Sequence, residues 1–324
     1  MKAVFQTVYG NSDVLRYGDQ ENPDIKPNQV LVRNYASSVN PRDCLIRSGR
    51  YQLQFLVPKF PLILGSDLAG EVLETGRRVK GFKPGDRVFG MKNPMEGLST
   101  YAEQVAVPAA NVALIPGHLS YIEAAGVPLC GLTAWQALVG HANLSAGKHV
   151  LVVGASGGVG SYSVQIAKAL GATVTAVCSG ANAEMVKALG ADGVIDYQRS
   201  DFTGKKDRYD IIFDTVGRHN LKRYGPVLKP GGFFVSTIPS PENLKAMAVT
   251  RARSLLSKTA LRAEVVMVKA SGRELQRIGQ LIEQGKVTPL IDRVFPLEET
   301  AAAHDLSRSL RAKGKIILDI PARS

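Results

Sequence analysis

The stretch HVLVVGASGGVG, residues 149–160, decides how the rest of the chain is read. It begins as an apolar run of strand length and passes directly into a glycine cluster. SYSVQIAKAL (161–170) follows, with apolar residues at helical spacing. Strand, glycine turn and helix in that order form the context in which a glycine cluster binds a dinucleotide. Gly157 lets the backbone approach a pyrophosphate, because a Cβ there would intrude. Gly160 lets the helix pack closely on the strand. Ala155 stands where the usual pattern has its first glycine. The N–H groups of Ser156, Gly157, Gly158 and Val159, at the positive end of the helix dipole, are the expected phosphate donors.

The next strand, 173–178, selects the cofactor. NAD-binding chains usually end this strand on a carboxylate that holds the ribose 2′-hydroxyl. Here the position is Ser179, which can donate to a 2′-phosphate that a carboxylate would repel. Asn182 and Lys187 lie a few residues on, and Tyr197 closes the following strand (VIDY). These residues predict NADP(H). Ser179 also suits a helix cap, a compatible role.

Further apolar strands at 209–216, 232–237 and 264–268 continue the alternation of strand and helix. That pattern indicates a parallel sheet covered on both faces. Val216, Ser236 and Thr237 close two of these strands at the carboxyl edge, where a cofactor lies. Outward from this core the text changes. Residues before about 120 read as short strands bounded by Pro and Gly, such as QVLVRN (29–34) and GEVLE (70–74), and 290–295 and 315–320 return to strand. Short helices are expected at 122–125 and 132–139. The organisation expected is therefore a β-rich domain over 1–122, a doubly wound nucleotide-binding domain over 123–286, and a return segment over 287–324.

A chain of 324 residues suits two domains, and its 45% apolar and 21% charged content is that of an ordinary globular protein. No apolar run approaches the ~20 residues of a membrane helix, and KAVFQT at the N-terminus reads as a strand, not a leader. A cytoplasmic protein is expected. Three scattered cysteines, Cys44, Cys130 and Cys178, offer neither a disulfide framework nor a CxxC metal site. The net charge of +12 raises the question of nucleic acid. Its clusters are short (residues 77–80, Lys205-Lys206, 251–253 and 311–313) and lack interleaved aromatics, so a basic surface around an anionic cofactor is the simpler account.

With these residues in view, the chain resembles the quinone oxidoreductases of the medium-chain dehydrogenase/reductase superfamily, near zeta-crystallin and the alkenal reductases. The landmarks are SSVNPRDCLIRSGRY (37–51), FPLILGSDLAGEV (60–72), FKPGDRVFG (82–90), CGLTAWQAL (130–138), GASGGVGSYSVQIAKALGA (154–172), ADGVIDY (191–197) and GKIIL (314–318). The resemblance implies a GroES-like catalytic domain, a Rossmann NADPH-binding domain inserted in it, and an active site in the cleft between them. Zinc alcohol dehydrogenases of the superfamily hold their metal with Cys, His and Cys, with a Glu beside the His. The matching positions here are Asn40, Ser66 with Asp67, and Cys130. That set is unsuited to zinc, which needs about four N, S or O ligands. Without a Lewis acid, acceptors that delocalise the incoming charge, such as quinones and enones, fit better than simple ketones.

The resemblance also assigns candidates. Asn40 is expected in the substrate cleft, donating to a carbonyl oxygen or ordering the nicotinamide ribose; a turn residue before Pro41 is the plainer reading. Tyr51 could bound the pocket, stack on a quinone or donate a proton; otherwise it is a loop aromatic. Thr133 is expected at the nicotinamide, unless it only bonds its own helix. Lys315 is expected near the cofactor, unless it is a surface lysine. Asp43 and Asp67 read as loop supports, Cys130 as core and His304 as a surface or packing residue. No general acid stands out. The expected activity is NADPH-dependent hydride transfer to a quinone or enone, by a homodimer paired through AEVVMVK (263–269). Reduction of an enoyl thioester or specialised metabolite is the alternative enzyme, and a cofactor-binding protein that serves RNA or a structural partner is the alternative class.

Overall fold

The computed structural model describes residues 1–204, 208–257 and 259–321. The Lys205-Lys206 cluster lies outside the described residues. The chain divides into two compact units. One comprises residues 1–132, 269–283 and 289–324; the other comprises 133–268 and 284–288.

In the second unit six strands form one parallel sheet. Their order is Gly193–Asp196, Thr173–Cys178, His149–Val153, Tyr209–Asp214, Leu228–Ser236 and Arg262–Val265. Counted along the unit this is 3-2-1-4-5-6, the doubly wound order whose reversal beside the first strand makes a nucleotide crevice. The central strands are apolar on both faces, as burial on both faces requires: Val150, Leu151, Val152, Ile212 and Phe213 are fully buried. The last strand differs from expectation. It spans Arg262–Val265 instead of 264–268. One of its N–H groups, at Ala263, is taken by Thr250 Oγ1 at 3.0 Å, from the helix Pro241–Ser254.

In the first unit the order is Ile291–Pro296, Lys315–Asp319, Gln29–Val39, Asp67–Thr75, Arg87–Met91 and Val112–Leu114, with Gln104–Pro108 also paired to Gln29–Val39. A smaller sheet joins Arg16–Asp19, Lys2–Gln6 and Leu62–Ile63. Register in the larger sheet positions the candidate site. Ser38 lies opposite Asp67, and Val39 lies opposite Ile316. Residues distant in sequence, Asn40, Asp67 and Lys315, are thereby brought to one end of three neighbouring strands. The helix expected at 132–139 begins earlier, as Pro128–Trp135, and widens to a π-helical turn over Gln136–His141.

Candidate functional site

The glycine turn has the geometry its sequence predicts, with one shift. The tight turn falls on Gly154, whose φ is +80°, so Ala155 needs no special backbone. A Cβ on Gly154 would lie 2.6 Å from both Thr215 Oγ1 and Val216 Cγ1. At Gly160 a Cβ would meet the Gly154 carbonyl oxygen at 2.1 Å, which explains the close helix–strand packing. At Gly157 the only neighbour of a Cβ is that same oxygen, at an ordinary 3.5 Å. Among the described residues only that oxygen lies within 4 Å of such a Cβ, so a bare backbone there suits a ligand. Gly157 is the N-cap of the helix Gly158–Ala169, whose first N–H groups have no partner within the helix.

Around this turn, Ser179 is partly exposed and stands at the N-cap position of the short turn Gly180–Asn182, where its side chain makes no cap bond. The buried Oδ1 of Asn182 has no hydrogen-bond partner, an unmet acceptor at the same edge. Lys187 is paired with Glu184 at 2.9 Å on the surface. Val216 is 56% exposed, and its N–H is held by Asp214 Oδ1. Ser236 is fully buried, and its hydroxyl accepts from Ile238 N and Asn243 Nδ2. Thr237 donates to the Thr215 carbonyl at 3.1 Å. Ser236 and Thr237 thus shape the edge with their hydroxyls turned inward. Thr133 is buried in its helix. These groups fit a dinucleotide: an open glycine floor, a free helix N-terminus, an unmet polar atom and an exposed valine.

The first unit carries a different cluster. Asp67, fully buried, is its hub. One carboxylate oxygen accepts from Leu129 N at 2.7 Å. The other accepts from the Ser38 hydroxyl, from Asn40 Nδ2 at 2.9 Å and from Lys315 Nζ at 3.5 Å. Lys315 Nζ also donates to Asn40 Oδ1 at 2.6 Å. Asn40 and Lys315 are 1% and 2% exposed, so Lys315 is no surface lysine. Burial works against its ammonium, but the Cys130 sulfur and the Asp67 and Asp43 carboxylates outweigh this and raise its pKa. Burial pushes the Cys130 thiol up in turn. The positions that match zinc ligands therefore surround an ammonium ion. Asn40, Asp67 and Cys130 face an ammonium, and an amide at position 40 replaces a thiolate, an arrangement that suits zinc poorly. Among the described residues no group of three or more His, Cys, Asp or Glu is poised to hold a metal.

Asp43 supports this cluster from below. Its Oδ2 accepts from Asn40 N at 2.9 Å and from Tyr101 Oη at 3.1 Å. Burial raises its pKa. His304, expected at the surface or in packing, is fully buried, with Nδ1 3.0 Å from Arg47 Nη1 and Nε2 3.3 Å from Tyr101 Oη. Tyr51 packs its ring against the apolar cluster that includes Leu62, Leu64 and Tyr101. The Ser38–Asp67 link and the Arg47–His304 pair were missed by the sequence reading. A signal for Asp67 was present, as a lone acid inside an otherwise uncharged run, LILGSDLAG.

Known proteins share this architecture. Residues 26–117 match the alcohol dehydrogenase GroES-like domain family, and residues 189–318 match the zinc-binding dehydrogenase family. The NADPH-dependent alkenal/one oxidoreductase of Arabidopsis thaliana chloroplasts is 34% identical, over 98% of this chain and 79% of that protein. The quinone oxidoreductase of Coxiella burnetii superposes with a TM-score of 0.88 at 31% identity, covering 99% of each chain. The Escherichia coli quinone oxidoreductase, solved as a complex with NADPH, gives 0.84 at 26% identity, covering 99% of this chain and 100% of that one.

Proposed function

This chain belongs to the quinone oxidoreductase family of the medium-chain dehydrogenase/reductase superfamily, and from that premise we propose that it reduces quinones or other conjugated carbonyl compounds with NADPH, without zinc. The observations that carry the reading are the ammonium of Lys315 among Asn40, Asp67 and Cys130 in one unit and, in the other, a nucleotide fold whose second strand is followed by Ser179.

When bound, NADPH supplies a hydride. The residues of this chain do the rest. The open floor at Gly157 and the N–H groups of Ser156, Gly158 and Val159 hold the pyrophosphate. Ser179 donates to the 2′-phosphate, and exposed Val216 gives the adenosine an apolar contact. Lys315 and Asp67 fix which way the Asn40 amide faces: Oδ1 toward the ammonium, Nδ2 toward the carboxylate. Asn40 keeps one N–H whose contacts, to Ser38, are long at 3.5 Å. That N–H is the one available to an acceptor oxygen or a ribose hydroxyl. A quinone or enone spreads the incoming charge over its own conjugated system, so one such donor suffices and the proton can come from water. Tyr51 bounds the acceptor space, and Thr133 supports the nicotinamide.

The same proposal includes a cytoplasmic homodimer. Its contact lies at the end of the strand Arg262–Val265, whose outer side has no strand neighbour among the described residues but gives its Ala263 N–H to Thr250. Val265 and Val266 are buried in their own unit, whereas Met267 is 46% exposed, so Met267 is the residue offered to a partner.

An NADPH-consumption screen over quinones, alkenals, enoyl thioesters and saturated ketones tests the activity. Turnover with quinones or alkenals supports the reading. Turnover confined to enoyl thioesters or saturated ketones refutes it.

A further inference from the structure

Ser179 does not by itself settle which nicotinamide cofactor the nucleotide unit prefers. Tyr197 N donates to the Cys178 carbonyl at 3.2 Å, so the start of the Tyr197 loop runs alongside Ser179. The residue before it, Asp196, lies beneath the Ser179–Gly180 turn: a Cβ on Gly180 would meet Asp196 Oδ2 at 2.6 Å. A carboxylate there offers an acceptor to a 2′-hydroxyl and repels a 2′-phosphate. A positive charge must outweigh it if the phosphate is to bind.

A cavity of about 380 Å³ opens beside Tyr197, and its walls include Arg199, Asp201, Arg218, His219 and Arg223. Two of the three guanidinium groups are already matched. Arg223 pairs with Asp201, and Arg199 Nε lies 3.7 Å from Asp196 Oδ2. Arg218 is different. Its guanidinium carbon sits 4.7 Å from the centre of the Tyr197 ring, and among the described residues no carboxylate pairs with it. Stacking fixes the plane of the guanidinium while leaving its in-plane N–H groups for an anion. Arg218 is thus a held, uncompensated cation on the one aromatic residue that follows directly from the Ser179 edge. Its loop is positioned too: Asp214, fully buried at the end of its strand, accepts from the N–H groups of Val216, Gly217 and His219.

We propose that Arg218, stacked on Tyr197, binds the 2′-phosphate of NADPH and decides the cofactor preference against Asp196. The proposal rests on the reading of this unit as an NADP(H) site. An arginine fork matches the oxygens of a phosphomonoester and makes charge-assisted bonds stronger than a neutral serine can.

Calorimetry with the intact protein tests it, using NADPH, NADH, 2′,5′-ADP and 5′-AMP as probes against wild type, Arg218→Ala and Arg218→Lys. Arg218→Ala is expected to weaken NADPH and 2′,5′-ADP by at least about tenfold, and NADH and 5′-AMP by less than about twofold. Arg218→Lys keeps the charge without the flat fork and is expected to recover part of the loss. A wild type that prefers NADPH and a preference that survives in Arg218→Ala overturn the role of Arg218 alone. Equal losses for all four probes also overturn it, since the residue then only supports the loop. A wild type with no preference for NADPH overturns the cofactor reading and this proposal together.

Discussion

Lys315 Nζ donates to Asn40 Oδ1 across 2.6 Å, joining residues 275 positions apart in a site that solvent barely reaches. The bond fixes the asparagine amide and, with Asp67, closes a neutral set of charges. Removing Lys315 leaves the buried Asp67 carboxylate without its counter-charge and takes the 2.6 Å donor from Asn40 Oδ1. Lys315→Met is therefore expected to destabilise the protein by about 3–5 kcal/mol, the usual cost of breaking a buried ion pair from one side. Urea denaturation measures it. A loss below about 1 kcal/mol would show that the ammonium is dispensable to the site.

The pH dependence of stability isolates His304. Burial, and then the neighbouring Arg47 guanidinium, push its imidazole from 6.5 down to about 3. Between those values the unfolded chain takes up a proton that the native chain refuses. Stability therefore falls as pH drops below 6.5, by about 1.4 kcal/mol per unit once the unfolded histidine is fully charged. Asp43 has the opposite sign: burial raises its carboxyl, so its contribution diminishes as pH rises from 3.8 through the folded value. His304→Gln removes only the first effect and should flatten the acid limb between about pH 6 and pH 4. Parallel limbs for wild type and variant would mean that His304 is charged in the native protein.

Charge at Ser179 should control the cofactor. Wild type is expected to bind NADPH at least about tenfold more tightly than NADH, or about 1.4 kcal/mol. Ser179→Asp adds a second carboxylate beside Asp196 and should abolish or reverse that preference. Fluorescence titration with both cofactors reads it. An unchanged ratio in the variant would put the 2′-phosphate elsewhere.

Assembly turns on which N–H groups face outward. Val266 N donates to Ser236 O at 2.9 Å, inside its own unit, so Val266→Pro would damage the subunit before it touched any partner. Met267 follows the end of that strand and is exposed, so a proline there tests whether this segment pairs with a partner. Light scattering at micromolar concentration should give a mass of two chains for wild type and one for Met267→Pro. A wild-type mass of one chain would remove the dimer. A dimeric variant would move the contact to another face.

The nucleotide fold was legible because its signals are local. A strand, a glycine turn and a helix occupy 149–170 without interruption, and the doubly wound order follows from the alternation of elements. The family likeness was carried by motifs of the same local kind. The Asn40 cluster was only partly legible. Asn40, Asp67 and Lys315 could each be named, but register alone brings them together, with Ser38 opposite Asp67 and Val39 opposite Ile316. No periodicity in the chain encodes a pairing across such separations. Arg218 went unread for a related reason: its meaning depends on a ring supplied by a different loop. The last strand of the parallel sheet was misplaced by a few residues because AEVVMVK, with three valines spread along it, marks no boundary.

The central claim is that this chain passes hydride to conjugated acceptors without a metal, and one assay tests it most directly. The purified protein, dialysed against chelator, is given NADPH with a quinone, an α,β-unsaturated ketone and the saturated ketone of the same skeleton, and NADPH oxidation is followed. The account predicts turnover of one or both conjugated acceptors, with kcat/KM on the order of 10²-fold or more above the saturated ketone. Turnover that disappears on chelation and returns with zinc, or that favours the saturated ketone, would contradict it.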